Sequence, residues 1–201
     1  MADGVIRLPP DGSGKSIYAT VVTRGGVSYY MPATVIAELY TYAAVLMNSA
    51  PGAAKNHFGL FNATGSGKKI SIRKIFVNSY MTGAQVGAAL SVNLVGSTSA
   101  GTGTTTNTIR KFDTTDPDLP PEITATHTYT VQPTVVTNRE MASITINSEE
   151  SITHPGKIEL FSAEDSISSI ILNEGQGAVI QQNPTLAGVG PMNFFIYFTT
   201  D

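Results

Sequence analysis

The 201-residue sequence has no cysteine and no tryptophan. Without thiols there can be no disulfide, no thiolate metal site and no thiol nucleophile, and cysteine usage gives no indication of a redox compartment. Charge is also scarce. Asp, Glu, Lys and Arg make up 13% of the chain, about half the usual share of roughly 25%. The formal net charge is −3, and the 12 basic residues are scattered, with Lys68, Lys69, Arg73 and Lys74 the densest group. Sequence-independent nucleic-acid binding requires several cations at one site to release counterions, so no nucleic-acid partner is expected. Long apolar runs are missing. The longest, residues 33–47, is interrupted by Thr34, Glu38 and Thr41, whereas a membrane helix needs about 20 apolar residues. No membrane partner is expected either. The opening Met-Ala-Asp-Gly lacks the basic and apolar regions of a secretory signal, which predicts synthesis in the cytoplasm without export.

What is present is apolar and neutral-polar. Hydrophobic residues form 41% of the chain, enough for a core and too much for general disorder. The surface is then expected to be neutral, rich in Thr, Ser, Asn and Gly, or covered by partners.

Three sections can be read along the chain. In the first, residues 8–14 (Leu-Pro-Pro-Asp-Gly-Ser-Gly) exclude helix and central strand, because Pro lacks a donor and Gly is conformationally loose. Residues 17–23 and 27–31 read as short strands about the Arg24-Gly25-Gly26 turn. The second section, residues 33–56, places Val35, Leu39, Tyr42 and Leu46 at helical spacing, which predicts a linker with a short helix; Val, Ile, Tyr and Thr leave a strand as the alternative. The third section reads as eight or nine short strands separated by turns. Leu90, Val92 and Leu94 alternate with polar residues, as do Ile70 and Ile72, the pattern of strands with one buried face. Residues 123–131 carry Thr124, Thr126, Thr128 and Thr130 on one expected face. Residues 96–107, small and polar, read as a long surface loop or a contact loop. The expected architecture is all-β: an antiparallel β-sandwich or jelly roll over residues 51–201, preceded by an extended N-terminal arm and linker over residues 1–50.

Candidate sites for chemistry fail on named residues. A phosphate loop requires G-x-x-x-x-G-K-[ST] between a strand and a helix. Gly14-Lys15-Ser16 supplies the end of that motif, but Pro9 occupies the first Gly position. Gly65-Ser66-Gly67-Lys68 has Asn62 at the first Gly position and Lys69 in place of the hydroxyl. The Glu174-Gly175-Gln176-Gly177 turn is followed by a strand pattern, not a helix. His57, His127 and His154 are far apart and lack metal-ligand spacing. Asp113, Asp116 and Asp118 are interrupted by Pro117 and lack the calcium-loop glycine and terminal Glu. Glu149-Glu150 and Glu164-Asp165 are adjacent pairs that a strand would send to opposite faces. No catalytic residue, cofactor or metal is expected.

Residues 6–15 (Ile-Arg-Leu-Pro-Pro-Asp-Gly-Ser-Gly-Lys) resemble the opening of many tailed-bacteriophage virion proteins. Gly101-Thr102-Gly103-Thr104, residues 111–120 and residues 174–180 are similar to phrases in small phage structural proteins. The resemblance implies a non-enzymatic virion component, similar to capsid decoration or cement proteins. It implies a β-sandwich body on the capsid surface, with an arm that binds the major capsid protein or other virion proteins. The arm contacts expected are Ile6, Arg7, Leu8, Lys15, Tyr29 and Tyr30. A homo-oligomer is expected, by analogy a trimer at three-fold sites. The alternative is a tail, head–tail junction or fibre component whose jelly roll recognises carbohydrate or host, with Tyr80, Tyr129 and Tyr197 as available aromatics.

Overall fold

The computed structural model describes residues 19–24, 27–32, 40–49, 55–79, 85–96, 100–106, 109–148, 157–164, 168–182 and 192–201. Their elements are all strands. The chain divides into two units, residues 1–39 and 40–201.

The first unit contains β1 (Ala19–Arg24) and β2 (Val27–Pro32), an antiparallel two-stranded sheet with Arg24 opposite Val27 and Ala19 opposite Pro32. The two expected strands of the arm are therefore present.

The second unit contains β3 (Tyr40–Ser49), β4 (Asn56–Asn62), β5 (Ile70–Ser79), β6 (Gln85–Gly96), β7 (Thr102–Thr106), β8 (Ile109–Lys111), β9 (Ile123–Val131), β10 (Val135–Ser148), β11 (Lys157–Ser162), β12 (Ile170–Leu172), β13 (Gln176–Gln182) and β14 (Met192–Thr200). They form two antiparallel sheets packed as a β-sandwich. One has the order β10-β6-β13-β4-β9-β7, and the other β11-β5-β14-β3-β8 with β12 beside β5.

The core lies between the sheets. Alternation sends Phe58 and Leu60 of β4, Leu90 and Val92 of β6, and Ala178 and Ile180 of β13 inward. They meet Tyr42, Ala44 and Leu46 of β3 and Phe194, Ile196 and Phe198 of β14. Burying such a side chain fully contributes about 1.5–3 kcal/mol. In β5 the inward residues are Ile70 and Ile72, then Ile75 and Val77. The phase changes at Arg73-Lys74, where the pairing with β14 passes over Arg73 of β5: Phe198 faces Ile72 and Tyr197 faces Lys74. This bulge keeps both charged side chains out of the core, where Lys74 pairs with Glu159 at 2.7 Å.

Three expectations change. Residues 40–49, expected at the end of the arm and linker with a helix, form the sandwich strand β3. Both faces of β3 carry apolar residues, with Ala43 as well as Ala44 buried, so no alternation marks it as a strand. The loop expected over residues 96–107 contains β7, which extends the first sheet beside β9; its β-branched threonines favour that state. Finally, the four threonines of β9 do not share a face. Thr128 has a φ of 50°, which breaks the alternation and carries Tyr129 over Gly59, where its hydroxyl donates to Thr126 O at 3.0 Å.

Candidate functional site

The expected arm contacts Ile6, Arg7, Leu8 and Lys15 lie outside the described residues, as does the Gly14-Lys15-Ser16 phrase. Tyr29 and Tyr30 are in β2, opposite Val22 and Val21 of β1.

The other two glycine-rich turns meet each other. Gly65 and Gly67 have φ values of 96° and 63°, left-handed geometry that turns successive N–H groups to one side. Glu174 fills that concavity: its Oε2 accepts from Gly65 N at 3.0 Å and its Oε1 from Gly67 N at 2.8 Å. Asn62 ties the two turns together from beneath. Its Nδ2 donates to Lys68 O and Leu172 O, and its backbone O accepts from Gly175 N at 2.8 Å. The amides that could have received a phosphate are occupied by the chain's own carboxylate.

His57 is fully buried between the sheets, 4.7 Å from the Phe194 ring. Its Nδ1 lies 3.3 Å from Ser49 Oγ and its Nε2 3.3 Å from Gln182 Oε1. Burial pulls its pKa down to about 4, against the opposing effects of Gln182 and Ser49. The ring is thus neutral near pH 7. Gln182 Oε1 can only accept, so it pairs with Nε2 when that nitrogen carries the ring hydrogen. The arrangement has a serine and an imidazole but an amide oxygen where a triad has a carboxylate. His127 Nδ1 contacts Thr128 Oγ1 at 2.7 Å, and partial burial lowers its pKa. His154 lies outside the described residues.

The aspartates after β8 are used locally. Asp113 accepts from Thr115 N and Oγ1 at 2.8 and 2.7 Å, and these bonds hold its carboxyl below the usual range. Lys111 does the same for Asp118 from 2.7 Å. Tyr42 anchors the loop by donating its hydroxyl to Pro117 O at 2.9 Å. Among the described residues no group of three His, Asp or Glu could hold a metal ion. Of the acidic pairs, Glu164 is exposed; Glu149, Glu150 and Asp165 lie outside the described residues.

Two of the tyrosines considered for carbohydrate are engaged. Tyr197 packs at right angles to Phe76, at 84°, and to Phe112, at 89°. Burial of Tyr129 over Gly59 pushes its phenol pKa up. Tyr80 lies outside the described residues.

A cavity lies outside these contacts. It has a volume of about 290 Å³ and lies along β4, β7, β9 and β13, lined by Phe61, Gly103, Thr102, Thr124, Thr126 and Gln176 among others. Phe61 belongs with Val95 and Val179 to a small apolar cluster separate from the main core, with Ala100, Tyr129 and Val135 packed against it. By alternation this is the outward side of the first sheet. The Phe61 ring lies so close over Gly177 that a Cβ there would come within 2.3 Å of it, which is why β13 carries glycine at that point. This cavity was not legible in advance, since its residues come from four strands; the threonine repeat of β9 was the one local sign.

Compared with known proteins, the chain matches no family model, no curated protein and no solved structure.

Proposed function

We propose that the chain is a non-enzymatic structural protein of a tailed-bacteriophage virion. In this reading it is a decoration, or cement, protein that binds and stabilises the shell of major capsid protein through its N-terminal unit. The observation that carries the reading is the division of the chain. Residues 1–39 cluster as a compact unit of their own, and β1 and β2 pair only with each other among the described residues. A lone two-stranded hairpin is marginal in water and needs another surface to be stable. Its alternating residues are apolar in both phases, Val21 and Tyr30 in one, Val22 and Tyr29 in the other. A strand edge or apolar hairpin of this kind suits addition to a neighbour's sheet.

The sandwich supports the same reading. The order β3-β14-β5-β11 facing β4-β13-β6-β10 is the interleaved winding of a jelly roll, an architecture shared by viral capsid and lectin domains. The scarcity of charge suits broad contacts, since charged residues are depleted at interface cores. A homo-oligomer, by analogy a trimer at three-fold positions, would multiply weak contacts.

The test is truncation. The main core begins at Tyr42, so residues 33–201 retain all of it. The full chain should co-sediment with shells assembled from the major capsid protein, and the truncated chain should fold but stay in the supernatant. Equal binding by both would refute the reading. A count of copies per particle separates a head protein from a tail or junction component.

A further inference from the structure

We propose that the cavity on the outward side of the first sheet binds a single neutral sugar ring. This goes beyond the assembly role and does not depend on it. Its volume of about 290 Å³ lies just below the usual range of ligand pockets, about 300–1,000 Å³, which suits one ring and not an extended chain. The wall mixes one apolar surface with several unused polar groups, as such pockets do. Ala63, Ala100 and the exposed rim of Phe61, 5% of that residue, supply the apolar part.

The polar part is neutral and hydroxyl-rich. Thr102, Thr124 and Thr126 line the cavity, and their hydroxyls have no partner among the described residues. Gln176 uses Oε1 to accept from Asn173 N at 2.9 Å, which leaves Nε2 to donate. Thr124 and Thr126 lie two residues apart on one strand, about 7 Å at roughly 3.3 Å per residue. A six-membered ring with hydroxyls at opposite ends can bridge that gap. Each threonine hydroxyl both donates and accepts, and so does each sugar hydroxyl, so the two sets pair in either direction.

The same wall argues against other ligands. None of its described lining residues is ionisable, so they offer no counter-charge to a phosphate or carboxylate and no carboxylate to a cation. A purely apolar ligand would bury the threonine hydroxyls without partners, at a cost.

The experiment is saturation-transfer NMR on the full chain with D-glucose, D-galactose and N-acetyl-D-glucosamine, and with D-glucuronate as the charged control. At least one neutral sugar should receive saturation at its ring protons, and glucuronate should receive none. In the isosteric double variant Thr124→Val/Thr126→Val the transfer should disappear. Thr102 is exposed, so Thr102→Val, expected to weaken the transfer several-fold, serves if the double variant does not fold. No transfer to any neutral sugar, or transfer unchanged in the folded variants, would overturn the proposal.

Discussion

Glu174 accepts the backbone N–H of Gly67 at 2.8 Å, across 107 residues of sequence. The second carboxylate oxygen accepts Gly65 N–H, so one side chain clamps two turns that each looked like a loop for an external phosphate. Charge-assisted bonds to backbone N–H groups are stronger than neutral ones. Glu174→Ala should lower stability by about 1–2 kcal/mol, a fall in Tm of about 2–8 °C at about 2–4 °C per kcal/mol for a chain of this size. Urea unfolding of the variant against the parent checks it; an unchanged midpoint would mean the clamp is incidental.

His57 gives the sandwich a pH dependence. In the folded protein its pKa is held at about 4, against about 6.5 when unfolded. Between those values the unfolded chain binds the extra proton, so stability rises with pH across the window and is complete above about 6.5. As pH falls from 6.5 to 4, about 3 kcal/mol is lost at 1.36 kcal/mol per unit. His57→Phe should remove most of this slope even though it weakens the fold at neutral pH by losing the contact with Gln182 Oε1. Unfolding free energies at pH 7 and pH 5 for both proteins measure the slope directly. The same slope in the variant would assign it to other groups.

Gly177→Ala should be destabilising by about 1–3 kcal/mol, the usual cost of overpacking. The new Cβ would meet Phe61 Cδ1 at 2.3 Å and Leu60 O at 3.0 Å; the ring can swing away, the backbone oxygen cannot. Since Phe61 walls the cavity, the same variant should also reduce saturation transfer to the sugar.

Phe194 tests the core. It is fully buried and packs on His57. Phe194→Ala should cost about 3–5 kcal/mol, read as a large drop in the denaturation midpoint.

Local pattern made much of this fold legible. Leu90-Ser91-Val92-Asn93-Leu94 and Ile70-Ser71-Ile72 announced strands because apolar and polar residues alternate in them. β3 gave no such contrast: Tyr42, Ala43, Ala44, Val45 and Leu46 are apolar on both faces, and their spacing fits a helix equally well. The break at Thr128 depends on one backbone angle, and threonine does not advertise a positive φ. The Glu174 clamp, the His57–Gln182 contact and the Phe61 cavity are long-range meetings with no local sequence signal. The arm residues Ile6, Arg7, Leu8 and Lys15 rest on resemblance, and the hairpin adds Tyr29 and Tyr30 only as members of β2.

The most direct test of the assembly role is a density map of the intact virion. The account predicts the β-sandwich on the outer capsid surface, with residues 1–39 ordered against the major capsid protein. Absence of the chain from the particle, or a sandwich seated on the shell with residues 1–39 making no contact, would contradict it.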